Sequence, residues 1–335
     1  MKTTSMKAAY IEQPGPPECL VYGDLPRPEP TDTQALVRVT AAAVNPIDTY
    51  IRQGANYWEL PRPFIVGCDL AGVVESVGTR VMRFQPGDRV WGSNQGLLGR
   101  QGTCAEYCAV EESWLYPTPE GVDDQEAAAL ALVGITAHLG LFREGQLERG
   151  ETVFVRGGTG GVGSAVVQMA KAVGARVLTT GGTDAKVARC REIGADVAVN
   201  YRTESLAQAV QAFAPAGVNL CWETLREPDF DELLSYLAER GRIILMAGRE
   251  ARPGFPVGPF YVKGCSIHGF AMFKATPDEQ RACAEDINRW MRAGQLRANI
   301  SQVLPLREVA AAHRLQEEST VRQSGALAGK IVIVP

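Results

Sequence analysis

The sequence predicts an α/β protein of two domains: one mostly β, the other doubly wound on a parallel sheet. Three observations predict it. Residues 1–120 carry short apolar runs broken by Pro and Gly. From Asp123 onward, strand-like runs alternate with helical spacing. The stretch "GGTGGVG" at 157–163 separates one such strand from one such helix. A chain of 335 residues also exceeds what one core usually serves. The mostly-β domain is placed at 1–124 with 271–335, and the doubly wound domain at 125–270.

In the first domain "ALVRVTAAAV", "DLAGVVESV", "DRVWGS" and "CAEYCAV" read as strands. "PGPPE", "PRPEP", "QPGD" and "YPTPEG" read as turns, because Pro and Gly fix turn dihedrals. "DDQEAAALALVGITAHLGLF" then has helical spacing, with carboxylates in its first turn, where the helix dipole favours them. Next come the strand "TVFVRG" and the helix "GVGSAVVQMAKAVG", whose Val162, Ala165, Val166, Met169, Ala170 and Val173 form one apolar stripe. "ARVLTT", "DVAVNY", "GVNLCWET" and "GRIILMAG" are further strands, and "CSIHGF" a possible last one. "TDAKVARCREIG", "ESLAQAVQAFA" and "FDELLSYLAERG" are the helices between them. Such alternation means a parallel sheet covered on both faces. "ATPDEQRACAEDINRWMRAG" is a long amphipathic helix, and "GKIVIVP" a strand rejoining the first domain.

The glycine loop carries the first functional signal. Gly158, Gly160 and Gly163 match G-x-G-x-x-G between a strand and a helix, the setting in which backbone approaches a pyrophosphate at a helix N-terminus. The alternative is a turn that only packs helix on strand, but five glycines in seven residues would weaken such an element. An NAD site wants a carboxylate at the end of the second strand. There the chain has Gly181, Gly182 and Thr183. Asp184 reads as a first-turn helix residue. Lys186 lies in that same turn, where a cation is disfavoured unless an anion meets it. A 2′-phosphate would, with Tyr201 in reach. NADPH is therefore favoured over NADH; otherwise Lys186 is a solvated surface lysine.

Other classes are disfavoured. Net charge is −4 with scattered Lys and Arg, which gives no nucleic-acid footprint. No apolar stretch is read as nearing the ~18 residues of a membrane span, and the N-terminal residues resemble no secretory signal. Eight cysteines without such a signal suggest thiols in the cytoplasm. Cys104 and Cys108, if on one strand, lie about 13 Å apart, too far for one metal. H-E-x-x-H and G-x-S-x-G are both absent, removing zinc-protease and serine-hydrolase readings.

"MKAAYIEQPGPPE", "VNPIDTYIRQG", "VGCDLAGVVESVG", "LVGITA", "GGTGGVG" and "NYR" occur in this order along nearly the whole chain. Together they resemble the zinc-independent quinone oxidoreductases, the zeta-crystallin-like branch of the medium-chain dehydrogenase/reductase superfamily. That resemblance implies a GroES-like catalytic domain, a Rossmann cofactor domain, NADPH as cofactor, a small-molecule electrophile (quinone or enone) as substrate, and a homodimer.

Onto matching positions it carries Tyr50 beside the nicotinamide and Asn45 in the same cleft, the two candidate catalytic residues. Thr159, Gly160, Gly161 and Val162 match the pyrophosphate loop. Gly182, Lys186 and Tyr201 match the adenosine-phosphate pocket. Ala247, Gly248, Phe270 and Met272 match positions around the nicotinamide, and Thr136 lines the cleft. Tyr50 either donates a proton or only packs on the ring. Tyr57 and Trp58 either rim a planar substrate or pack their loop. Leu225 and Arg226 depart from the family, which has small residues there.

Zinc relatives hold their metal by a Cys, a His and a second Cys. Here the corresponding positions are Asn45, Cys68 and the ligand-free 132–134, so no metal is expected, since a catalytic zinc needs three protein ligands. Without a Lewis acid, quinones or conjugated C=C bonds are the apt acceptors. A nucleotide-binding protein without important catalysis is the reading from another class.

Overall fold

A computed structural model describes residues 4–55, 59–322, 324–325 and 327–335. Tyr57 and Trp58 lie outside the described residues. The chain divides into two compact units: residues 1–133, 275–292 and 298–335, and residues 134–274 with 293–297. The first boundary falls inside the helix Asp124–His138. The small excursion 293–297 counts with the second unit because Gln168 holds Arg297, donating to its carbonyl at 3.0 Å and accepting from its N–H at 2.9 Å.

The second unit is a six-stranded sheet, all parallel. Its order is Val197–Asn200, Arg176–Gly181, Thr152–Val155, Val218–Glu223, Leu237–Leu245, Ser266–Gly269. The strand order reverses direction beside Thr152–Val155, the switch point at which such sheets open a ligand crevice. The helix Gly161–Ala172 buries Ala165, Val166, Met169 and Ala170, as its stripe predicts. "FDELLSYLAERG" differs from the reading: the helix stops at Tyr236, and Leu237–Gly241 already belongs to a strand. Pairing of Val218 with Leu237 overrides the helical propensity of "LAER".

The first unit carries a seven-stranded sheet. Its path is Ile300–Pro305, Lys330–Val334, Gln34–Val44, Asp69–Val77, Arg89–Gly92, Leu115–Pro117, with Tyr107–Glu111 also pairing Gln34–Val44. A smaller sheet joins Val21–Pro26, Ser5–Ile11 and Phe64–Ile65. The strand Lys330–Val334 lies antiparallel to Gln34–Val44, with Ile331 opposite Val44, so "GKIVIVP" does close this sheet. Cys104 precedes the strand Tyr107–Glu111 rather than sharing it with Cys108, so the 13 Å spacing argument does not apply. Both thiols are buried.

One reading about length needs correction. The continuous helical segment Asp124–Glu144, 21 residues long, is apolar enough by composition to cross a membrane. In this fold 72% of its apolar window is buried in protein. Ala, Leu and Gly packed against neighbours produce the same composition as lipid-facing residues.

Candidate active site

In the second unit the candidate cofactor residues gather at one edge of the sheet. Thr159–Val162 follow the carboxyl end of Thr152–Val155, and Gly182 and Lys186 follow that of Arg176–Gly181. Tyr201 follows Val197–Asn200, Ala247 and Gly248 follow Leu237–Leu245, and Phe270 and Met272 follow Ser266–Gly269. Parallel strands place all these ends on the same side, where α/β sheets bind ligands. Thr136 is buried within its helix. Ala247 and Gly248 have φ of 81° and 70°; Gly248 has backbone against it, since a Cβ there would meet the Arg226 carbonyl at 2.6 Å.

Gly163 is required by space. A Cβ on Gly163 would lie 2.2 Å from the Gly157 carbonyl, whereas at Gly160 the nearest atom would be 3.4 Å away. The loop is therefore closed beneath and has room on its outer side at Gly160, at the N-terminus of Gly161–Ala172, where N–H groups and the helix dipole favour phosphate. A Cβ on Gly182 would meet the Tyr201 hydroxyl at 2.5 Å, so this glycine lets the half-exposed ring lie across the strand end.

Asp184 is occupied elsewhere: it accepts from Asn200 Nδ2 at 2.7 Å from the first turn of the helix Asp184–Glu192. Lys186 has its pKa lowered, first by burial and then by the charge of Arg202. Two cations thus stand close enough to repel at the rim beside Gly182. Arg202 was missed as a site residue; the "R" of "NYR" was its only signal. The residues fit a nicotinamide dinucleotide.

The Leu225–Arg226 departure has a local explanation. Glu223, fully buried, accepts from Leu225 N–H at 2.7 Å and from Arg156 Nε at 2.7 Å. Arg156 also reaches Glu232 at 2.6 Å. This ion network fixes the loop after the strand Val218–Glu223 without small residues.

In the first unit, the helix Pro46–Arg52 carries half-buried Tyr50. Its N-cap, Asn45, is fully buried, and its N–H donates to Asp48 at 2.7 Å. Asn45 Nδ2 donates to Asp69 at 2.8 Å, and its Oδ1 accepts from Lys330 Nζ. Asp69 also accepts from Ser93 Oγ at 2.7 Å and Leu132 N–H at 3.1 Å. Cys68 is buried; burial pushes its thiol far above the usual range, and Asp48 and Asp69 add to this. Burial raises Asp48 to about 6 and raises Asp69 as well. At the other end Arg52, fully buried, pairs with Glu317 and donates to the Gly15 carbonyl at 3.1 Å. Among the described residues no group of three His, Cys, Asp or Glu side chains is arranged to hold a metal. The donors around Asn45 do not suit zinc, because the amide is engaged at both atoms and, among the described residues, no set of three ligand side chains surrounds it.

Two family profiles match this chain: the alcohol dehydrogenase GroES-like domain over residues 31–120, and the zinc-binding dehydrogenase over 161–289. A quinone oxidoreductase of Sus scrofa is 32% identical over 98% of this chain and 98% of its own. The chain belongs to the quinone oxidoreductase family, in the zeta-crystallin-like branch of the medium-chain dehydrogenases/reductases. Members of this family are nicotinamide-dependent oxidoreductases, and so is this enzyme. An NADPH-dependent alkenal/one oxidoreductase of Arabidopsis thaliana is 35% identical over 68% of this chain and 58% of its own. Among solved structures, one described as an NAD-dependent alcohol dehydrogenase superposes with a TM-score of 0.88 at 31% identity, over 98% of this chain and all of the other. A mycobacterial protein complexed with NADPH superposes at 0.85 with 29% identity, over 98% and 100%. The GroES-like profile thus falls within the first unit, and the zinc-binding dehydrogenase profile covers most of the parallel-sheet unit and runs on into the helix Pro277–Arg292.

Proposed function

We propose that this quinone oxidoreductase family member reduces quinones with NADPH and without a metal. The observation that carries the proposal is the donor set at Asn45: an amide, engaged at its two ends by Asp69 and an ammonium. NADPH is supported by Lys186 and Arg202 at the rim beside Gly182. When bound, the cofactor supplies a hydride. Thr159, Gly160, Gly161 and Val162 hold its pyrophosphate; Ala247, Gly248, Phe270, Met272 and Thr136 border the nicotinamide. Tyr50 donates a hydrogen bond, and then a proton, to the oxygen on which negative charge develops, and Asn45 fixes the start of its helix.

Purified enzyme is expected to oxidise NADPH in the presence of 1,2- or 1,4-quinones; absence of turnover with any quinone would overturn the reading. The alkenal/one reductase relative supports a second acceptor class. With deuterated NADPH and an enone, deuterium at the β-carbon by NMR would establish it, and its absence across several enones would remove it.

We also infer a homodimer through the second unit. Ser266–Gly269 is the last strand of its sheet, and the preceding Val257, Tyr261 and Val262 are 62%, 69% and 74% exposed. An open edge beside apolar side chains is the form that strand pairing between copies covers. Sedimentation is expected to give twice 36.1 kDa; a monomer at micromolar concentration would exclude it. The cysteines, all thiols, support work in the cytoplasm.

A further inference from the structure

We infer that Lys330 is a positioning residue: its buried ammonium sets the orientation of the Asn45 amide and, through it, the helix that carries Tyr50. This rests on the reading above that Tyr50 and Asn45 serve the reaction. Lys330 is buried (5% exposed), which lysine almost never is unless it is paired. Its Nζ donates to the Val44 carbonyl at 2.7 Å and to Asn45 Oδ1, and lies 4.0 Å from Asp69 Oδ2. An amide has one acceptor end and one donor end. The ammonium can only donate, and Asp69, when ionised, can only accept. Together they leave Asn45 a single orientation, Oδ1 toward Lys330 and Nδ2 toward Asp69.

The same residue is the N-cap of Pro46–Arg52. The helix opens with a capping box between Asn45 and Asp48, and the Asn45 Oδ1 also takes the Lys330 ammonium. The first turn is tied back by Asp48, which accepts from Asn45 N–H. Two buried carboxylates and one ammonium therefore converge on one residue, five positions before Tyr50. A buried ion cluster of this kind is expensive relative to apolar packing, so its return here is geometric: it fixes where the helix starts. Lys330 is also tied to the sheet, since Lys330–Val334 runs beside Gln34–Val44. The amide and the strand preceding it are thus set by one side chain from far along the sequence.

The test uses the full chain with Lys330→Met, and the charge-balanced pair Asp69→Asn with Lys330→Met in case the single variant does not fold. With a quinone acceptor, kcat is expected to fall about tenfold while KM for NADPH changes less than about twofold, on the scale of one charged hydrogen bond. Adding Asn45→Ala to Lys330→Met is expected to cost no more than either change alone, because both act through one contact. Independently of turnover, the Asn45 side-chain amide signals, assigned with Asn45→Ala, are expected to be slow in hydrogen exchange and at least tenfold faster without Lys330. An unaltered Asn45 exchange rate, additive losses, or a loss confined to KM for NADPH or to thermal stability overturns the inference. Failure of wild-type enzyme with every quinone overturns the functional reading instead, and the exchange measurement still decides the role of Lys330.

Discussion

Replacing Lys186 and Arg202 together with alanine is expected to weaken NADPH binding about a hundredfold and NADH binding less than about threefold, since each charged hydrogen bond is worth roughly 1.5–3 kcal/mol and 1.4 kcal/mol is a factor of ten. The two side chains repel each other, and burial of Lys186 adds to the cost of its charge. A 2′-phosphate between them relieves both penalties, which a ribose hydroxyl cannot do. The carboxylate that would select the hydroxyl is missing from the strand end, and Asp184 is held by Asn200. The preference should weaken with added salt, because this rim is partly exposed and screened. Calorimetric titration of both cofactors checks it. Equal losses for NADPH and NADH would refute the phosphate role.

The second large effect concerns acid. His313 is fully buried, and among the described residues neither ring nitrogen has a hydrogen-bond partner. Burial, then the charge of Arg52, pushes its pKa down to about 3. The folded protein therefore refuses a proton that the unfolded chain accepts near its ordinary value of about 6.5. The stability His313 contributes is present above that value and drains away as pH falls toward 3. Asp48 has the opposite sign. Burial raises it to about 6, so the folded state takes its proton first. The benefit is complete below about 3.8 and lost as pH rises through 6. Between pH 4 and 6 the two slopes oppose one another. His313→Leu removes one of them. Its loss of unfolding free energy between pH 7 and pH 4 is expected to be smaller than that of wild type by about 3 kcal/mol, read from urea unfolding at each pH. Identical pH slopes in the two proteins would show that His313 takes no part.

Which of these features were legible in the sequence follows from how far apart their partners lie. The glycine loop was legible because its requirement is local: Gly163 closes on Gly157 within one turn. The alternation that builds the parallel sheet was legible for the same reason. Lys186 could be read because a cation in a helix's first turn, where the dipole disfavours it, asks for an anion. Arg202 was passed over because nothing in "NYR" says that it stands beside Lys186; only pairing of Arg176–Gly181 with Val197–Asn200 does. Lys330 looked like the first residue of a strand. Its partner Asn45 is 285 residues away, beyond any periodicity. Arg52 and Glu317 are 265 apart and equally silent. The misread helix end at Leu237–Gly241 shows the reverse case, a clear local signal overruled by the sheet.

The contact between Lys330 and Asn45 also has a consequence in time. A ribosome delivers residues in order, and domains fold as their chain emerges. The second unit, almost entirely within 134–274, can close while synthesis continues. The first unit cannot. Its strand Gln34–Val44 gains the Lys330–Val334 neighbour last, and the helix of Tyr50 gains Glu317 and the Asn45 partner Lys330 equally late. The parallel sheet that carries Gly160 and Lys186 thus has all its strands by residue 269, whereas the sheet beside Asn45 lacks a strand until Lys330–Val334 has been made.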